Sequence, residues 1–417
     1  MKIYLVGGAV RDQILGMPIS DRDWLVVGSS PQEMIRLGFQ QVGRDFPVFL
    51  HPVTKEEYSL ARIDRKIGSG HTGFQCFSSP SVTIEEDLYR RDLTINAIAK
   101  TTKNKIIDPF FGVKDIQKRI IRHVSNAFSE DPIRVLRTAR FYAKLSEYYF
   151  TIYHKTWKII EEMVQQEDLK TVSKERVWIE TKKALSTSSP DLYFKMLFQC
   201  GALSVLFPEI QIILTKSFKK KSSLTSFIDQ KEYIFLVIKK SALLTKSIEV
   251  RFAALCSNFT VFFYDNHMSN SKEKKINSAV QMVRSFCDRM CVPTKTKKLS
   301  VAIAKVHQNV QNIQNSCSKE VIKIFDQMDV WRKPKNIDQL ITVCKAHYIV
   351  KNRLELGCYY PQGELLMKIF KKVSKSSLKI DFQKMKNKEI RGTILKNRLK
   401  IIEKVMNLKK IRKNHLR

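Results

Sequence analysis

The chain has 417 residues, 43% of them hydrophobic and 10% aromatic, which excludes wholesale disorder and is too long for one ordinary core. Lysine and arginine number 74 against 40 aspartates and glutamates, and the formal net charge of +34 is the footprint of a polyanion binder, with a Lys-, Ile-, Asn- and Phe-rich compositional bias contributing. No apolar run reaches membrane-span length and no signal-peptide pattern is present, so a cytoplasmic protein without membrane association is expected; the cysteines include no Cys-x-x-Cys pair, which argues against a zinc or disulfide framework.

The first stretch, Leu5-Val6-Gly7-Gly8-Ala9-Val10-Arg11-Asp12, leads through Gly16 and Pro18 to Asp21-Arg22-Asp23-Trp24-Leu25-Val26-Val27. A strand from Asp21 to Val27 puts Asp21 and Asp23 on one face, about 7 Å apart. Two hard oxygen donors suit Mg²⁺, which is held by one or two carboxylates plus phosphate oxygens and water. The Gly7-Gly8 pair leaves room for a phosphate near the backbone, and Arg11 offers a planar cationic fork. The glycines do not form Gly-x-Gly-x-x-Gly, which disfavours a dinucleotide-binding oxidoreductase. This arrangement of strand, Gly-Gly, Arg-Asp and Asp-x-Asp resembles the head motif of the tRNA nucleotidyltransferases, the CCA-adding enzymes of the bacterial and eukaryotic class. Bacterial poly(A) polymerases share that motif.

Pro31 to Leu37 reads as a short helix, and Val48-Phe49-Leu50 and Tyr58-Ser59-Leu60-Ala61 read as strands. Glu57, just before the latter, is either a third carboxylate near Asp21 and Asp23 or a solvated strand-edge residue. Arg62 to Gly73, with Gly68, Ser69, Gly70 and Gly73, reads as a loop, either a lid over a nucleotide or a plain surface loop. Arg90-Arg91-Asp92-Leu93-Thr94-Ile95-Asn96-Ala97-Ile98-Ala99 predicts cations at the start of a helix with Asp92 orienting them. It matches the second motif of the family; the resemblance implies that Arg91 contacts the triphosphate or ribose, that Gly8 and Arg11 also bind the nucleotide, and that Asn96 holds the local structure. Asp108-Pro109-Phe110-Phe111-Gly112 resembles the third motif, a structural hinge.

In Glu130-Asp131-Pro132-Ile133-Arg134-Val135-Leu136-Arg137-Thr138-Ala139-Arg140-Phe141, Pro132 fits a first helical turn. Asp131, Arg134, Arg137 and Arg140 recur every three residues and fall close to one helical face, with Val135, Leu136 and Phe141 available for burial. Stacked arginines repel unless an anion lies between them, and a triphosphate would serve. Asp131 only accepts and Arg134 only donates, so the pair can bond to cytosine or adenine and sets oxygen against oxygen for uracil or guanine. The resemblance likewise implies Asp131 and Arg134 as base-selecting residues, with Arg137 and Arg140 as nucleotide contacts. Ser173-Lys174-Glu175-Arg176-Val177-Trp178-Ile179-Glu180 predicts a helix capped by Ser173 and buttressed by an Arg176–Glu180 salt bridge, the bracing fifth motif of the family.

Beyond Phe207 the chain reads as all helix. Arg251-Phe252-Ala253-Ala254-Leu255-Cys256 resembles the frame of the HD phosphohydrolase domain of bacterial relatives, but Ser257-Asn258 follows where that frame has His-Asp. His267 and His307 are too few for a divalent site, so no phosphohydrolase activity is expected. Basic residues from Lys371 to Arg417 either track phosphate backbone or reflect compositional drift.

The expected fold is α+β: a polymerase β-like nucleotidyltransferase head at 1–125, then an all-helical neck at 126–206, body at 207–345 and basic tail at 346–417. The expected activity is Mg²⁺-dependent, template-independent addition of C, C and A to the tRNA 3′ end from CTP and ATP, with Asp21 and Asp23 as the catalytic metal ligands and no obligatory protein partner. The alternatives are a poly(A) polymerase and a tRNA-binding protein without catalysis.

Overall fold

The computed structural model describes residues 1–19, 21–42, 48–66, 74–215, 230–265, 271–377 and 387–414. The loop glycines Gly68, Gly70 and Gly73, with Ser69, and His267 lie outside the described residues, as do the side chains of the basic run at 409–413. The chain divides into two compact units, 1–184 with 192–208, and 185–191 with 209–417.

The first unit opens with β1 (Lys2–Val6), α1 (Gly8–Ile14), β2 (Asp23–Val27), α2 (Pro31–Arg36), β3 (Gln40–Val42), β4 (Val48–Leu50) and β5 (Glu57–Leu60). There follow β6 (Arg62–Lys66), β7 (Phe74–Ser78), α3 (Ile84–Tyr89), β8 (Ala99–Thr101), β9 (Ile106–Ile107), α4 (Gly112–Gln117), β10 (Ile120–Ile121), α5 (Ile133–Lys144), β11 (Thr151–Ile152), α6 (His154–Gln165) and α7 (Lys174–Leu185). Seven strands form one mixed sheet in the order β3-β4-β5-β2-β1-β8-β9. Period two splits its apolar residues between two faces. Leu25, Tyr4 and Val6 bury against Ile84 and Leu88 of α3, while Val26, Phe49, Tyr58 and Leu60 bury with Met34 of α2. The sheet is therefore covered on both sides, and its strand ends are free to carry chemistry.

Three readings need correction here. The stretch read as a loop from Arg62 begins with β6, which pairs antiparallel with β7 from Arg62–Ser78 to Lys66–Phe74. Asp21 precedes the strand, which starts at Asp23. Arg90 and Arg91 do not begin a helix: Arg90 ends α3, and only a single 3₁₀ turn, Thr94–Asn96, follows. The capping box Thr83–Glu86 supplies the start signal for the real helix, which lies before the arginines.

The first unit also holds nearly all of α8 (Pro190–Gln199) and α9 (Ala202–Leu206). The second unit is helical in its described residues, with α10 (Pro208–Thr215), α11 (Gln230–Leu244), α12 (Ile248–Asp265), α13 (Lys272–Arg289) and α14 (Thr294–Gln311). The last four are α15 (Ser318–Gln327), α16 (Lys335–Lys351), α17 (Pro361–Ser377) and α18 (Asn387–Asn414). One apolar core joins α11, α12 and α14 to α18, with Val237, Ala253, Ile303, Phe325, Leu340, Leu366 and Ile402 buried. Among the described residues no helix is long and apolar enough to cross a membrane.

Candidate active site

A cavity of about 840 Å³ in the first unit collects all nine site residues expected from the sequence: Gly8, Arg11, Asp21, Asp23, Arg91, Asp131, Arg134, Arg137 and Arg140. Glu57, Asp92, Asn96, Phe141, Lys144 and Arg176 line it too.

The acidic side comes from the sheet. Asp23 opens β2, in antiparallel register with Val6 and in parallel register with Glu57, so the two carboxylates project from the same face of adjacent strands. Surrounding protein raises the Asp23 carboxyl above its ordinary value; Arg91 opposes the shift and the charge of Asp21 adds to it. Asp21 and Asp23 both line the cavity.

Gly7 connects β1 to α1 with φ 71°, a conformation that L side chains rarely adopt. A Cβ here would also meet the Nη1 of Arg91 at 2.9 Å. The glycine thus seats a guanidinium against the turn. Arg11 serves differently from a free phosphate fork. It is 2% exposed, donates to Asp12 and to the Asn96 side-chain oxygen, and lies 5.0 Å from the centre of the Phe141 ring. Lys144 of α5 completes this cluster at 2.9 Å from Asp12, and the sequence reading missed it.

Arg91 is held by Asp87, which is fully buried and accepts from Arg90 at 2.6 Å and from Arg91 at 3.1 Å. Asp87 was also missed, although its spacing of three and four residues before the arginines on one helix is a readable signal. Asp92 accepts from Leu93 N–H and the Asn96 amide through one oxygen and from Arg137 Nε at 2.6 Å through the other. Burial alone would raise this carboxyl, but Arg137, Asn96 and Arg134 outweigh it and hold it well below the usual range.

The arginine ladder of α5 forms as expected, with Val135, Leu136 and Phe141 buried. Its repulsion is relieved by the protein's own carboxylates. Arg137 pairs with Asp92, and Arg140 donates to Glu180 at 2.5 Å while lying 4.1 Å from the centre of the Phe141 ring. Arg134 donates to the carbonyls of Ala127 at 2.8 Å and Arg90 at 2.5 Å. The expected Arg176–Glu180 bridge is not the pairing found. Arg176 reaches Asp131 with two bonds, 2.8 and 3.2 Å, and Glu180 serves Arg140, because tertiary partners displace the pair one turn apart. Ser173 does accept from Arg176 N–H at the helix start.

In the second unit, Ser257 and Asn258 are buried on α12. The Ser257 hydroxyl donates to Ala254 O and lies 2.7 Å from Nε2 of His347, whose Nδ1 faces the Tyr233 hydroxyl at 2.8 Å. His307 lies against His347 with ring centres 4.3 Å apart. These side chains form a hydrogen-bonded polar core within the second unit.

Residues 3–122 match the family described as the poly A polymerase head domain, and residues 149–213 match the probable RNA and SrmB-binding site of polymerase A. Among solved structures, the Bacillus stearothermophilus CCA-adding enzyme in complex with CTP is 21% identical at a TM-score of 0.62, over 99% of this chain and 94% of that one. The Thermotoga maritima CCA-adding enzyme complexed with tRNA is 19% identical at 0.59, over 97% and 91%. A CCA-adding enzyme in an apo form is 19% identical at 0.61, over 98% and 90%. At these identities the likeness is one of fold. The two domain matches show that the chain carries a poly A polymerase head domain and, after it, the probable RNA-binding region of polymerase A.

Proposed function

We propose that this protein adds C, C and A in turn to the 3′ end of tRNA, using CTP and ATP, releasing pyrophosphate and needing no nucleic-acid template. One observation carries the reading: Asp131 and Arg134 line the same cavity as Asp21 and Asp23. A base selected at one side has its triphosphate at the other. Cytosine and adenine present an amino donor beside a ring acceptor, the complement of an aspartate beside an arginine; uracil and guanine leave both groups badly matched. The capture of relatives of this fold with CTP and with tRNA supports the same substrates here.

Arg91, anchored by Asp87, binds the triphosphate, and Arg137 and Arg140 bind the nucleotide from the face of α5. The tRNA hydroxyl attacks the α-phosphate in line, so the protein's work is positioning and charge stabilisation. Asp21 and Asp23 fit a Mg²⁺ ion: both are hard oxygen donors, and the charge of Asp21 helps raise the Asp23 carboxyl, which a cation would offset. Among the described residues no three His, Cys, Asp or Glu side chains converge on a metal position, and a bound ion would take its remaining ligands from phosphate oxygens and water. When bound, the ion neutralises phosphate charge and favours ionisation of the attacking hydroxyl. The body carries no phosphohydrolase activity in this reading, since Ser257 and Asn258 are turned to hydrogen bonding within it.

The head-domain match favours a second reading, a poly(A) polymerase, which would build A tails on many RNAs. The test of catalysis is incorporation of labelled CTP into tRNA lacking its terminal CCA. Wild-type protein incorporates label, whereas Asp23→Ala retains tRNA and incorporates none. Equal incorporation by both would break the assignment, and tRNA binding without incorporation by wild type would leave a binding protein.

A further inference from the structure

We propose that the surface around Tyr149 and Arg119 is a stacking site for an unpaired base of the RNA strand, a proposal that rests on the RNA-extending function above. Helix α4 ends at Gln117 and the chain turns through Arg119 at φ 58°; α5 ends at Lys144, and after a 3₁₀ turn the chain passes through Tyr149 at φ 59°. Glycine or asparagine occupies such left-handed positions with least strain. Here a long cation and a large ring hold them instead.

The two turns are neighbours. Strands β10 and β11 pair directly after them, with Thr151 N–H donating to Arg119 O at 2.8 Å. The Arg119 guanidinium lies 5.8 Å from the ring centre of Tyr148 and 5.7 Å from that of Phe150. Tyr149, between them, is 85% exposed, more than any other large hydrophobic side chain described. Its ring has a free face and no packing role to account for it.

The surround is cationic. Lys118, Arg119, Lys155 and Lys158 are exposed, and Glu147 is the single carboxylate between Lys144 and Lys158. An aromatic face for bases, ringed by cations for phosphates, is the combination that holds single-stranded nucleic acid. A protein partner would call for an apolar rim. Tyr149 stands five positions after Lys144, which lines the cavity, a span of at most ~18 Å. A strand whose 3′ end enters the cavity can therefore pass over Tyr149.

The experiment compares wild type, Tyr149→Phe and Tyr149→Asn for binding of tRNA lacking its CCA end, for CTP binding and for thermal stability. Loss of a stacked base weakens RNA binding about tenfold in Tyr149→Asn, with CTP affinity unchanged and melting temperature equal or higher, since asparagine relieves the turn. Tyr149→Phe keeps the ring and keeps the affinity. RNA binding by Tyr149→Asn within about twofold of a wild type that extends tRNA would overturn the stacking site alone. Failure of wild type to bind or extend any RNA would overturn it together with the function on which it rests.

Discussion

Arg176 on α7 grips both oxygens of Asp131, at 2.8 and 3.2 Å, and so fixes the plane of the carboxylate proposed to read the base. Asp131 Oδ1 also accepts from Ile133 N–H at 3.2 Å. An acceptor pinned from two sides cannot swing to suit a different base. Arg176→Ala is expected to lower kcat/KM for CTP and to shrink the preference for CTP over UTP by roughly tenfold or more. Arg176→Lys, which lacks the fork, behaves more like alanine than like wild type. Nucleotide discrimination measured in both variants checks this, and an unchanged CTP-to-UTP ratio would show that Arg176 only braces the neck.

Asp92 is buried between Arg137 and Asn96, and truncating it leaves Arg137 without its strongest partner. Asp92→Ala should cost about 3 kcal/mol of stability in urea unfolding, in the range for breaking a buried pair from one side. Its folded-state carboxyl lies below its ordinary value of 3.8, so this stability is fully present above that pH and is lost as pH falls through the folded value. A loss under about 1 kcal/mol would mean that the pair contributes little.

Gly7→Ala combines a forbidden backbone angle with a Cβ 2.9 Å from the Arg91 guanidinium. The arginine must move, and the turn carries roughly 1–3 kcal/mol of strain. We expect CTP binding by calorimetry to weaken about tenfold or more, in step with that strain. Wild-type affinity would remove Arg91 from the triphosphate site.

The body should be acid-labile at one place. His307 and His347 are fully buried; burial lowers His307 from 6.5 to about 4, and burial with the charge of its neighbour holds His347 well below 6.5. Both stay neutral in the folded state while the unfolded chain takes up protons below its ordinary 6.5. The linked stability is intact above pH 6.5 and is lost between that value and about 4, on the order of 3 kcal/mol from His307 alone. Hydrogen exchange at pH 7 and pH 5 should show protection falling in α12, α14 and α16, and His307→Phe should reduce the fall. Equal protection at the two pH values would contradict the neutral-histidine core.

What the sequence made legible was local. Val6, Leu25 and Val26 announce strands by burial pattern, and the motifs around Gly8, Asp23, Arg91 and Arg134 are short enough to be read in place; one cavity gathers them. The partners were not legible. Asp131 and Arg176 stand 45 positions apart, and Asp12 and Lys144 stand 132 apart. Spacing along one helix paired Arg176 with Glu180, yet carboxylates and arginines from packed elements compete for the same charges and win by better geometry. The polar core at His347 escaped notice for the same reason, since Ser257, Tyr233 and His307 reach it from three other helices.

The most direct test of a single pocket that both reads the base and transfers the nucleotide is extension of tRNA lacking its 3′ CCA, with Mg²⁺ and each of the four nucleoside triphosphates alone and in pairs. The account predicts a stop after two C residues with CTP, completion to CCA only when ATP is also present, and no use of UTP or GTP. Long A tails on any RNA, or indifferent use of all four nucleotides, would contradict it.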